Sequence, residues 1–171
     1  MDHDDIAPYR LPDPDNHPAT IAARVMRMPE HRHLADNEID IDWLMRTDEK
    51  IKQGRRILGT VFEPRVQGEL KDLFDFMLDR LLGRVPAFLI ILDDQYWEAA
   101  TPLQREILVF HELSHIRQKL DRYGTTRFNS DGMPIYGLAG HDVEEFTQVV
   151  ARYGAWNDEL QSFVAAAQQH S

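Results

Sequence analysis

The stretch from Thr101 to His115 constrains this chain more than any other, because it dictates both a helix and what that helix carries. Thr101-Pro102-Leu103-Gln104 opens it, with Thr as N-cap, Pro at the first helical position and Gln three residues on to complete a capping box. The helix is expected to run to about residue 120. Within it stands His111-Glu112-Leu113-Ser114-His115. On an α-helix, residues i and i+4 lie on one face about 40° apart, so both imidazoles can reach one Zn2+ at ~2.0–2.1 Å. Glu112, beside the first ligand, takes the place of a general base for an attacking water. Eight His in 171 residues make an accidental match of this pattern a roughly 2% event, lower still inside a capped helix.

A catalytic zinc takes three protein ligands and keeps a fourth position open. The chain has no Cys, so the third ligand must be a His or a carboxylate. The same absence excludes disulfide frameworks, iron–sulfur clusters and thiol nucleophiles. Of the remaining histidines, His3 and His17 fall in an acidic, Pro-rich N-terminal stretch, His31 and His33 in a polar break and His170 at the end of the chain. All five are expected at solvent. His141 differs, since it follows a Gly-rich loop and opens Gly140-His141-Asp142-Val143-Glu144-Glu145-Phe146, a junction that can aim a side chain from a rigid base. Glu144 and Glu145 are rivals for the same place, because a glutamate on a second helix completes such a site equally well. The residues alone leave that choice open. Asp142 or Glu145 could instead orient a ligand imidazole, although acids are as much at home at any helix N-terminus.

The rest of the chain reads as one domain behind a short arm. Residues 1–18, with five Asp and four Pro, cannot offset their own ordering entropy and are expected to be a disordered acidic arm; residues 19–171 form a single domain. Ile21, Ala22, Val25 and Met28, then Ile39, Ile41, Trp43, Leu44 and Met45, suggest two short helices around a break at 29–33. A β-rich run at 55–62 is expected as a strand, and Leu70, Leu73, Phe74, Met77, Leu78 and Leu81 place an apolar stripe on a helix over 66–82, closed by Gly83. Residues 85–92 form the most apolar stretch and read as a strand. It is either interior or an edge to which an extended peptide could add by main-chain hydrogen bonds. A long loop over 121–140 and helices at 141–153 and 156–168 complete the chain. Trp43, Trp97 and Trp156 are expected as core anchors, and Tyr123, Arg127 and Tyr136 are candidate donors to an oxyanion.

The order of elements, the His-Glu-x-x-His helix and the later His141-Asp142-Val143-Glu144-Glu145-Phe146 and Arg152-Tyr153-Gly154-Ala155-Trp156 segments resemble the phage metallopeptidase family, related to SprT-like zinc peptidases, over roughly residues 34–160. The resemblance implies an α+β fold, a small zincin-like domain with a short β-sheet packed against the metal-carrying helix and further helices. It also favours His141 over the glutamates, since His141-x-x-x-Glu145-Phe146 is similar to the SprT-like pattern. Two departures stand out: the spacing from His115 to His141 is longer than in typical SprT-like domains, and Arg117 falls where such helices carry an apolar residue.

These features point to a zinc-dependent metallopeptidase with Glu112 as general base, acting on a protein or peptide. The alternative is a non-catalytic, host-directed binding factor on a zinc-stabilised scaffold; a purely structural site would not need Glu112. The net charge of −10 disfavours direct nucleic-acid binding. Only residues 51–85 are locally basic, and their Lys52, Arg55, Arg56, Arg65 and Lys71 read as a solvated face. The longest apolar run is far short of the ~20 residues a membrane helix needs, and an acidic start is unlike a signal region, so a cytoplasmic location in a bacterial or phage-infected cell is expected.

Overall fold

The computed structural model describes residues 7–141, 147–155 and 157–169, and its internal contacts fall into two compact units, Met1–Ala139 and Gly140–Ser171. The first unit is built on β6 (Phe88–Asp93), the strand expected from the most apolar stretch. It is interior, not an edge. β2 (Ile41–Arg46) pairs with it in parallel from Ile41↔Phe88 to Arg46↔Asp93, and β5 (Gly59–Phe62) pairs antiparallel from Gly59↔Leu92 to Phe62↔Leu89. With β1 (Tyr9–Arg10) antiparallel to β2, the sheet order is β1-β2-β6-β5, so β5 is an outer strand. The edge reading of residues 87–92 is thereby overturned, because hydrogen-bonded neighbours occupy both sides of β6.

Three further differences from the sequence reading have physical causes. Residues 41–46 are a strand, not a helix. Trp43, Leu44 and Met45 are all buried, and a short continuous apolar run of this kind cannot be assigned by periodicity. The β-rich run at 55–62 breaks at Ile57 and Leu58. Its start, β4 (Arg55–Arg56), folds onto β3 (Ile51–Lys52) as a hairpin, and only β5 joins the main sheet. The acidic N-terminal stretch is paired from Tyr9 onward: Thr47 Oγ1 donates to the Ala7 carbonyl at 2.8 Å, and the Trp97 indole N–H donates to the Asn16 carbonyl at 3.0 Å beside a 3-10 turn at Pro14–Asn16. A tertiary anchor here supplies what local composition lacks.

Helices cover the sheet. α1 (Pro18–Val25) starts at His17, whose Nδ1 accepts from the Ala19 amide at 3.1 Å, and packs against α5 (Pro102–Ser114); α2 (Arg32–Asp36) follows. α3 (Lys71–Leu82), preceded by a 3-10 turn at Gly68–Leu70, leads into β6, and α4 (Asp94–Ala99) leaves it. Trp43, Met45, Ile90, Leu92, Trp97, Val109 and Leu113 share one core, so two of the expected Trp anchors are in place; Trp156 lies outside the described residues. At the end of β6 the buried Asp93 accepts from the Arg56 guanidinium at 2.8 and 2.7 Å, has Arg46 at 3.7 Å and caps α4 through the Tyr96 amide at 3.0 Å. Burial alone would raise its carboxyl, but Arg56, that amide and Arg46 together hold it below the usual carboxylate range.

α5 ends at Ser114 instead of continuing to 120, and β7 (Ile116–Gln118) pairs with β8 (Tyr136–Leu138), so the expected long loop is largely a β-hairpin. Arg117 is therefore an exposed strand residue, which resolves its departure from the helical pattern. In the second unit, α6 (Thr147–Tyr153) closes at Gly154, and α7 (Asp158–Gln168) is capped by Asn157, whose side chain accepts from the Leu160 amide at 2.9 Å. The whole is a mixed α and β architecture, and no helix among the described residues is long and apolar enough to cross a membrane.

Candidate metal centre

The capping box expected at Thr101 is complete: Thr101 Oγ1 accepts from the Gln104 amide at 3.3 Å, and Gln104 Oε1 accepts from the Thr101 amide at 2.8 Å. That start sets the phase of α5. Leu108, Val109 and Leu113 point into the core, which leaves His111 exposed and His115, at the C-cap, half-buried. Their rings stand edge to face with centroids 5.1 Å apart. His115 Nδ1 lies 2.8 Å from the Ala139 carbonyl oxygen, and the Ala139 amide donates to the His115 carbonyl at 2.8 Å. A carbonyl can only accept, so Nδ1 is the donor here and Nε2 is the nitrogen that would bind a metal. This is the arrangement a metal-binding imidazole requires.

Glu112 sits on the inner side of the helix, 3% exposed. Burial pushes its carboxyl up to about 7, into the range in which a carboxylate both takes and returns a proton near neutrality. Its side chain abuts Gly59 of β5. A Cβ built on that glycine would fall 2.5 Å from Glu112 Cδ and 2.9 Å from Cγ, and closer still to Oε1. The one signal of this contact in the sequence is a glycine inside a strand run, a sign of close approach.

His141 is described as an exposed residue at the start of the second unit, two residues beyond Ala139. The rival ligands Glu144 and Glu145, and Asp142, fall outside the described residues, as do His3 and His170. The other histidines are not simple solvent groups. His31 is 3% exposed, packs edge-on to Phe110 with centroids 4.3 Å apart, and has its proton affinity lowered chiefly by burial. His33 stacks on Tyr136, and its Nδ1 lies 3.1 Å from the Tyr136 hydroxyl. That hydroxyl donates to the His33 carbonyl at 2.9 Å and accepts from Asn37 Nδ2 at 3.1 Å, so Tyr136 is engaged in the fold and is no oxyanion donor. Tyr123 is 75% exposed. Of the basic middle segment, Arg56 is taken up by Asp93 and Glu49, and Lys71 by Asp75.

A family model described as "Putative phage metallopeptidase" matches residues 14–168. No curated protein and no solved structure matches the chain.

Proposed function

This chain belongs to the phage metallopeptidase family, which implies a metal ion and a protein substrate, and from that premise we propose that it is a zinc-dependent peptidase with Glu112 as general base. The observation that carries the proposal is the division of labour on α5: two imidazoles one helical turn apart, one with its Nδ1 held against the Ala139 carbonyl, and a buried carboxylate between them in sequence. His111 and His115 supply two ligands, and His141 is our third. Each of the three offers one imidazole nitrogen. The Ala139 backbone is pinned to His115 through two hydrogen bonds, and two residues span at most ~7 Å. That short tether is what supports His141 as the third ligand. Glu144 and Glu145 are the alternatives.

A bound zinc would polarise the scissile carbonyl and acidify the attacking water. Glu112 takes the proton from that water as it adds to the carbonyl carbon and delivers it to the departing amine. Its burial keeps competing water away from the carboxyl. The outer strand β5, which carries Gly59 against Glu112, is the edge to which an extended peptide can add.

The test is metal content and turnover of a denatured protein by wild type and Glu112→Gln. One zinc per chain is expected in both, with turnover at least about 100-fold lower in the variant. Equal turnover would sink the peptidase reading and leave the host-directed binding factor. His141→Ala should lower zinc retention sharply; unchanged retention moves the third ligand to Glu144 or Glu145.

A further inference from the structure

We propose that Gly59 is a positioning residue for Glu112: the bare backbone of β5 at this point forms the seat in which the carboxyl is held. The inference rests on the general-base reading of Glu112. Gly59 lies in extended β5, outside the left-handed region that would call for glycine, so its backbone makes no demand for this residue. Strand interiors ordinarily disfavour glycine, which has more freedom to lose on folding than alanine. What demands it is space, because Glu112 Cγ, Cδ and Oε1 together occupy the volume of a Cβ.

The seat is closed on several sides. Gly59 pairs with Leu92 of β6, and the Asp93 amide donates to the Leu58 carbonyl at 2.8 Å, so the strand cannot slide away from the helix. Glu112 is flanked along α5 by the fully buried Leu113 and Val109, so the helix cannot retreat either. A methyl group at position 59 is therefore accommodated by the one mobile partner, the Glu112 side chain. The carboxyl is displaced by the width of a methyl group, whereas the three atoms nearest such a Cβ all belong to Glu112 and none to His111 or His115. Displacing a reacting group by about 1 Å is enough to cost roughly 100-fold in rate.

Three measurements on full-length Gly59→Ala test this. Metal content should stay at the wild-type value. With denatured protein as substrate, kcat should fall about 100-fold while KM stays within a factor of about three, and the substitution should cost nothing further in a Glu112→Gln background. On the metal-free protein, the change in Tm caused by Gly59→Ala should differ by at least about 2 °C between wild-type and Glu112→Ala backgrounds, since residues in contact couple. Equal Tm shifts in the two backgrounds overturn the contact. A raised KM with unchanged kcat overturns the positioning role and assigns Gly59 to substrate approach. If the metal-loaded wild type cleaves nothing, the peptidase reading fails, and the melting comparison still decides whether Gly59 seats Glu112.

Discussion

α5 and α3 are amphipathic helices of nearly equal length, 13 and 12 residues, that treat their apolar faces in opposite ways. α5 buries Leu108, Val109, Glu112 and Leu113, and its first turn is fixed by a complete capping box. α3 buries Leu78 alone, starts without a side-chain cap and leaves Leu73, Phe76, Met77 and Leu81 about half exposed. Both show apolar residues at helical spacing. The difference lies in what the rest of the chain offers: α5 runs along a sheet and against α1, whereas α3 is set mainly against its own preceding turn. Periodicity reports that a face exists, and only tertiary packing decides whether it is covered. The candidate ligands and base ride on the helix that is held, as a site requiring sub-ångström placement must.

The largest effect separating the two helices should come from Leu113→Ala. Leu113 is fully buried one residue from Glu112, and removing its side chain leaves a cavity in a close-packed core, at a cost of about 2–5 kcal/mol in a urea titration. A loss below about 1 kcal/mol would mean that α5 is no better anchored than α3, and the contrast would fall.

A second measurement sharpens the contrast by isolating the polar residue that α5 buries. In metal-free protein, Glu112 has its folded-state pKa at about 7, above the ordinary 4.5. The folded state therefore keeps a proton that the unfolded chain releases, and folding loses stability as pH rises from 4.5 to 7. The loss is at most about 3 kcal/mol. Glu112→Gln carries no charge to bury, so its advantage over wild type should be small near pH 4.5, grow through this window and level off above pH 7. Urea titrations of chelator-treated protein at three pH values decide it, and a constant difference across the window would remove burial as the cause.

The parts of this molecule that could be read from sequence are those fixed by local rules. The Thr101 cap, the helical spacing of His111 and His115, the Gly83 stop and the β6 run all follow from contacts within a few residues, and all are present. Residues 41–46 look helical in sequence and form a strand because Trp43, Leu44 and Met45 are apolar on both faces, a pattern common to a central strand and a buried helix. Residues 116–118 look like a continuation of α5 in sequence because nothing local separates its last turn from the first residues of a hairpin whose other strand lies 18 positions or more away. In the site, the Ala139 carbonyl that orients His115 and the bare backbone of Gly59 leave little mark in the sequence for one reason. Each acts through main-chain atoms, to which the identity of the residue gives little clue.

The smallest effect should come from the face of α3. Leu73 and Met77 are 55% and 58% exposed, so Leu73→Ser and Met77→Ser remove little contact and each should change unfolding free energy by no more than about 0.5 kcal/mol. Serine is a slightly poorer helix former than leucine or methionine, which places the expected sign on the destabilising side. The measurement is the same urea titration used for Leu113→Ala, at dilute protein concentration. A loss of 2 kcal/mol or more at either position would show that the face is covered in solution. In that event the two helices would differ in what covers their apolar stripes, and no longer in whether they are covered.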